Sequence, residues 1–442
     1  MRNINRSRGV ASVLALLLLA VFMAVSVSLF ALAGTSVAQA DNTRDVLDAR
    51  LVAESGLAFM TNRMNHSGVP SYLRGTAMLN SLASKLSVAI TSSNRGGAAI
   101  TYDGTTIRIP AISMGAGRSF TATVTSPSYE VVRVTVTGIV DDGGRNITRT
   151  ISLDYAPTGN PAFGYGLASE GPISMGMNTE FTGTVSNFDG SMYSAAQGTA
   201  ISIGSGYISG DVCTSATGAT VSLGKADAGG NVYRVPPIAM PGINRTPYGN
   251  LTTSVVTTAG LTLSGTFKNL RVKANTNPSF GSSTIMGVLY IEAPNHIEFK
   301  NNANITGVIV ADDPPAGTPD ANAFISFWNN VTFHGVQDLP ATSEFTEVRK
   351  LQGSCVLAPG FTMEFKNNMG GSDGVIALKK LDAKNNLTSV IYGSILIYGT
   401  GGLSFVNNTD MTIDRSGQTS VPAGFSAPAV PFAAQPSTYS EQ

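Results

Sequence analysis

From Val10 to Ala40 the chain carries no charged residue, and from Ala11 to Leu32 it is dominated by Leu, Ala, Val and Phe. Roughly 20 apolar residues suffice to cross a bilayer as a helix. Arg2, Arg6 and Arg8 precede this run, and basic residues before a span hold that end on the cytoplasmic side. Everything after about residue 40 is therefore expected outside the cytoplasm. Beyond the run, Val46, Leu47, Leu51, Leu57, Met60 and Met64 recur every three or four residues, with no Pro and only Gly56 among them. That period predicts a helix continuing to about Asn65. Unbroken from Val10, it would be roughly 80 Å long at 1.5 Å per residue. A signal anchor followed by a separate core helix would show the same pattern.

From about Ala98 the period changes to two. Val132, Val134 and Val136 alternate with Arg133, Thr135 and Thr137, while Ile151, Leu153 and Tyr155 alternate with Ser152 and Asp154. Such alternation predicts half-buried strands. Asp141-Asp142-Gly143-Gly144 between the two runs supplies residues that tolerate positive φ, so the pair reads as an antiparallel hairpin able to cover the emerging helix. Adjacent side chains in a turn rarely converge, so the two aspartates read as turn residues. Pro157 and Gly159-Asn160-Pro161 then break the sheet and mark a domain boundary.

The C-terminal half contains a repeat: an apolar residue, any residue, Phe, any residue, then Asn-Asn. Its copies are Ile297 to Asn302, Ile325 to Asn330, Met363 to Asn368 and Leu403 to Asn408, with a weaker echo at Thr266-Phe267-Lys268-Asn269. Alternation places the first and third residues of each copy on one buried face, and Asn suits a tight corner because it tolerates the left-handed conformation. Further β-prone runs intervene at Gly307 to Ala311, Gly374 to Ala377 and Gly393 to Ile397. Several short strands per coil predict a right-handed parallel β-helix, with Phe and Ile stacked inside and corner Asn side chains in a ladder. The Phe residues are 28, 38 and 40 residues apart, so coils must contain insertions or the motif must skip coils. A β-sandwich of repeated hairpins is the alternative. After Asp414 the chain turns to Ser, Pro, Ala and Gly, with Pro422, Pro428, Pro431 and Pro436, which predicts a flexible tail.

Composition sharpens this picture. Among 442 residues there are 48 Gly and only 13% charged residues, as in a chain of turns and short strands. Lys plus Arg and Asp plus Glu number 28 each, so no overall field recruits nucleic acid. Cys213 and Cys355 could pair in an oxidising compartment. His66, His296 and His334 show no metal-ligand spacing and read as surface or core residues. Asp312-Asp313, His334-Gly335 and Asn408-Thr409-Asp410 superficially match pieces of pectinase-type sites, but their order is wrong, and Pro314-Pro315 after Asp313 points to a loop between coils. No catalytic residue, metal or cofactor follows from the sequence, and no enzyme is expected. Asn146, Asn304, Asn330 and Asn386 lie in Asn-x-Ser/Thr triplets that a Thr-rich β protein contains by chance.

Two processing routes remain open at the N-terminus. Ala38-Gln39-Ala40 before Asp41 offers a signal-peptidase site, although the apolar run is about twice the usual h-region. The other route removes a short basic leader ending in Gly and keeps the helix. Arg8-Gly9-Val10-Ala11-Ser12-Val13-Leu14-Ala15-Leu16-Leu17-Leu18-Leu19, followed by Ala49-Arg50-Leu51-Val52-Ala53-Glu54-Ser55-Gly56-Leu57, resembles the start of PilX-type minor pilins and K-type pseudopilins over about 60 residues. Those families carry an Ala-Glu-Ala/Ser-Gly-Leu-like signature, matched here by Ala53 to Leu57. Major pilins have Phe first and Glu fifth after cleavage, whereas cleavage after Gly9 would place Val10 and Leu14 there.

The resemblance implies processing between Gly9 and Val10 by a prepilin peptidase-like protease. It also implies an initiating, tip or accessory role in a type IV pilus or type II secretion-like filament, with other pilin-like subunits as partners. The resulting expectation is a mainly β protein with a long N-terminal helix. It comprises a leader at 1–9, a transmembrane and projecting helix at 10–65, a small helix-plus-strand domain at 66–158, a repeated β domain at 159–415 and a tail at 416–442. It would be a single-pass protein of a bacterial inner membrane, its bulk extracytoplasmic. An anchored or secreted adhesion protein that binds surface glycan is the alternative, and a polysaccharide-active enzyme is third.

Overall fold

The computed structural model describes residues 7–91, 99–385, 387–416, 421–426 and 431–442; Arg2, Arg6, Asn386 and Pro428 lie outside them. Helix α1 runs from Ser7 to Asn65 without interruption, 59 residues, or about 90 Å at 1.5 Å per residue. From Val10 to Arg44 its side chains are solvent-facing. Past residue 48 it buries Ala49, Val52, Ala53, Leu57, Met60 and Met64. Leu47 and Leu51, which the apolar period had placed on the same face, are more than half exposed. The face that packs carries Ala49, Ala53 and Gly56 where the sheet comes closest, flanked by Val52, Leu57, Met60 and Met64.

That sheet is antiparallel. β1 (Thr101–Tyr102), β2 (Thr106–Gly115), β3 (Arg118–Ser128), β4 (Val131–Asp142) and β5 (Arg145–Pro157) pair in sequence order. The β4–β5 hairpin turns through Gly143 and Gly144 at positive φ, and the Asp141 carboxylate accepts the Gly144 N–H at 2.9 Å. Helix α2 (Gly75–Thr91) buries Met78, Leu79, Leu82, Leu86 and Ile90 alongside α1 and β3.

The C-terminal residues correct the expectation of a flexible tail. Phe432–Glu441 is a strand antiparallel to β5, with Phe432 opposite Pro157 and Glu441 opposite Ile151. Without it β5 would present a row of unpaired backbone groups to solvent. Pro436 is accommodated because the strand forms the sheet edge and its register breaks between Gln435 and Ser440. Residues 158–431 thus leave the sheet after β5 and return to the same sheet beside it.

Between those points lies a stack of coils. Every pairing between named strands from Leu167 to Ile413 is parallel. A sandwich of hairpins would have paired antiparallel. The interior is apolar throughout, and phenylalanine stacks along it: Phe280 on Phe299 at 4.8 Å, Phe299 on Phe327 at 4.7 Å, Phe327 on Phe365 at 5.4 Å. The uneven spacing has both foreseen causes. Phe299 and Phe327 are adjacent rungs separated by the loop at 312–322, and Phe327 and Phe365 by a longer excursion at 335–353. Phe365 and Phe405 instead sandwich a coil that carries Ala383 at this position.

The asparagines form the expected side-chain ladder but not the expected backbone corner. The residues with positive φ other than Gly are Ala116, Asn178, Asn269, Asn275 and Asn277 among those described, so the Asn-Asn pairs do not adopt the left-handed conformation. They work through side chains: Asn329 donates to the Lys300 carbonyl, Asn367 and Asn385 link to the Asn in the coil before, and Asn407 donates to the Lys384 carbonyl. The echo at Asn269 is a bulge inside a strand, its amide bonded to Val288 N–H and the Glu344 carbonyl.

The coils do not stack in chain order. Along one face the ladder runs through residues 254, 270, 289, 309, 356, 376 and 395, then 167, 192, 212 and 232. The first coil in sequence therefore sits against the last, Leu167 beside Ile395, Ile173 beside Leu403, and Thr179 beside Thr409. Eleven strands at 4.8 Å spacing make a stack about 50 Å long. The segment 235–253 runs back along its outside, burying Val235, Ile238 and Tyr248 against Val288, Val308 and Leu357. This cover explains the continuous apolar runs such as Gly307 to Ala311, which are buried on both faces.

Candidate assembly interface

The second half of α1 forms a junction built for close approach. A Cβ on Gly138 of β4 would lie 2.2 Å from the Ala49 carbonyl and 2.5 Å from the Ala53 N, and one on Gly56 would meet Phe120 and Val136 at under 3 Å. Ala53 and Gly56 of the Ala53 to Leu57 signature are thus contact residues between helix and sheet. Glu54, on the outer side, pairs with Arg50 at 3.0 Å, and Arg50 reaches Glu441 of the C-terminal strand at 3.5 Å. Arg118 bonds Asp48 at 2.7 Å. These contacts fix the lower helix and leave the upper part free.

That upper part is a continuous apolar surface. Val10, Leu14, Leu17, Leu18, Phe22, Val25, Leu29 and Phe30 are each half or more exposed. By length and composition this is a helix able to cross a membrane. Gly9 and Val10 both lie in its first turns.

Two buried arginines hold the start of the coil stack, Arg415 within the stack and Arg74 across its junction with the sheet. Arg415 is buried and gives two hydrogen bonds to Asp189, at 3.0 and 2.8 Å, and one to the Phe163 carbonyl. Arg74, also buried, donates to the carbonyls of Ser71, Pro157 and Gly159 and pairs with Glu130. Burial pushes the Tyr72 hydroxyl beside them up to about 12, the nearby Arg415 only partly offsetting this. Sequence reading missed both arginines, since neither belongs to a motif.

No protein-family model matches this sequence, and no curated protein matches it. Among solved structures, the crystal structure of the competence-associated pilin ComZ from Thermus thermophilus is similar with a TM-score of 0.35 and 8% identity, over 90% of this chain and 98% of that one. A likeness at that level leaves function to be argued from this chain's own residues.

The residues weighed for chemistry fall apart or regroup. Asp313 is held by Arg245 at 3.0 and 2.6 Å, Asp312 accepts from Tyr290 at 2.5 Å, and Asp410 is exposed on a different sheet. His66 bonds the Asn62 carbonyl at the end of α1, and His296 lies 3.8 Å from Glu298. Cys213 and Cys355 are free thiols buried in separate clusters, so the possible disulfide is not formed. Burial raises both, Cys213 to about 12. His334 meets Asp338 and Asp373, a grouping invisible in the sequence because Asp373 comes from the next coil.

Beside His334, four side chains in lateral register, Thr266, Thr284, Asn304 and Thr332, line an open polar groove of about 450 Å³.

Proposed function

We propose that this chain is a non-enzymatic, pilin-like subunit of an extracytoplasmic filament, minor rather than bulk, in a type IV pilus or type II secretion-like system. One observation carries the reading: a single helix whose first half is an unshielded apolar surface and whose second half is welded to an antiparallel sheet through Ala49, Ala53, Gly56 and Gly138. Such a helix can be held by the inner membrane as a single span, then exchange lipid for the matching helices of other pilin-like subunits. In this reading a prepilin peptidase-like protease cuts between Gly9 and Val10. Residues 10–65 are the span and rod, and 66–158 the small domain, completed by the strand from the C-terminus. Residues 159–415 are a right-handed parallel β-helix on display. The absence of Glu at Leu14 favours an accessory or tip position.

Leu18→Asp tests the assembly step. A carboxylate at a helix centre in the bilayer costs about 2.5–3.5 kcal/mol on insertion scales, and in a helix bundle it would have no partner. The variant is expected in the membrane fraction and depleted from the sheared filament fraction. Normal incorporation would sink the reading. The second reading, an anchored adhesion protein binding neutral surface glycan, is favoured by the row of Thr and Asn side chains in the groove, which offers hydroxyls and amides without charge.

A further inference from the structure

His334 ends the strand Val331–His334, Asp338 closes the short turn that follows, and Asp373 precedes the strand Val375–Ala383 of the next coil. Parallel stacking brings them together: Phe333 N–H bonds the Gly371 carbonyl and Gly335 N–H bonds one oxygen of Asp373 at 3.1 Å. One potential ligand atom from each residue lies within 4.8 Å of the other two. The two carboxylates repel, and among the described residues neither has an ion pair; Arg349 donates instead to the carbonyls of Gln337 and Leu339 on either side of Asp338. Among the described residues the Asp338 carboxylate and the His334 imidazole have no hydrogen-bond or ion-pair partner. Neighbouring coils treat their carboxylates otherwise: Glu292 has Arg271 and Lys273, Glu364 has Lys366 and Lys384, Asp382 has Lys380, and Asp320 has Lys379.

We propose that His334, Asp338 and Asp373 bind a divalent first-row transition ion such as Mn2+ or Zn2+. One imidazole nitrogen with two carboxylates suits such ions, whereas Ca2+ and Mg2+ favour ligand sets made of oxygen alone. Three protein ligands leave coordination positions open. Since His334 also borders the polar groove, a hydroxyl-bearing molecule there can complete the set. The ion also clamps the excursion at 335–353 to the following coil, because Asp338 lies in the first and Asp373 before the second.

The test uses the tag-free full-length protein in detergent, stripped with chelator. Mn2+ is titrated with the free-ion electron paramagnetic resonance signal as readout, and Zn2+ by calorimetry. The expected result is one saturable site per chain, weakened at least about tenfold in His334→Ala and in Asp338→Asn, and unchanged in His296→Ala, which removes an imidazole with a single carboxylate neighbour. Asp338 is exposed, so its replacement leaves the fold intact; circular dichroism checks this for each variant. Absence of saturable binding in the wild type, or equal binding in all four proteins, would overturn the proposal. Neither result bears on filament assembly.

Discussion

Gly138 sets the distance between α1 and the sheet, since any side chain there would strike helix backbone, which cannot rotate away. Gly138→Val should therefore cost at least the 1–3 kcal/mol, roughly, of an overpacked core, read as a lowered unfolding midpoint of the full chain in detergent. Ser55→Ala, one turn position away but exposed, should change stability by no more than about 0.5 kcal/mol. Equal effects of the two would mean that the helix does not pack as described. Half of this contact was legible: Ala53 and Gly56 sit in a recognisable signature, and the structure gives their small size a cause. The other half was not, because a glycine inside an alternating strand has no side chain to betray which partner it faces. Leu47 and Leu51 misled for a related reason. Period alone locates an apolar stripe, but closeness of approach decides which edge of it is buried.

At the scale of elements, the order of coils has a measurable consequence. Terminal coils of a solenoid fray first, having one neighbour. If coils stacked in chain order, Leu167–Ser169 and Ile395–Ile397 would be such ends. Here they pair with each other in the interior of the stack, and Val232–Arg234 and Ser254–Val256 are the ends. Hydrogen exchange should be slowest at Leu167 and Ile395, whose N–H groups bond to the Ser191 and Gly166 carbonyls, and fastest at the two outer strands. The reverse ranking would refute the arrangement. The repeat of Phe and Asn-Asn revealed that coils exist, because stacked interiors demand the same residue at the same place. It could not reveal their order, which depends on where segment 235–253 carries the chain. Nor did the tail's Pro and Ser betray a strand: an edge strand tolerates what a central one forbids.

Taken whole, the molecule is a rod of about 90 Å, a small sheet clasped to its far end, and a stack of coils emerging from and returning to that sheet. Both crossings lie at the sheet's last pair of strands, and Arg74 holds the first of them through the carbonyls of Pro157 and Gly159. Among the described residues, the apolar half of the rod is exposed along its whole length. Its retention in the mature protein is the claim on which the assembly reading turns, and the N-terminal sequence of the protein recovered from its native membrane or filament fraction tests it directly. A start at Val10 is predicted, with the whole apolar helix kept. A start at Asp41 would remove the interface, contradict filament assembly and leave a secreted β protein whose groove, not its helix, carries the function.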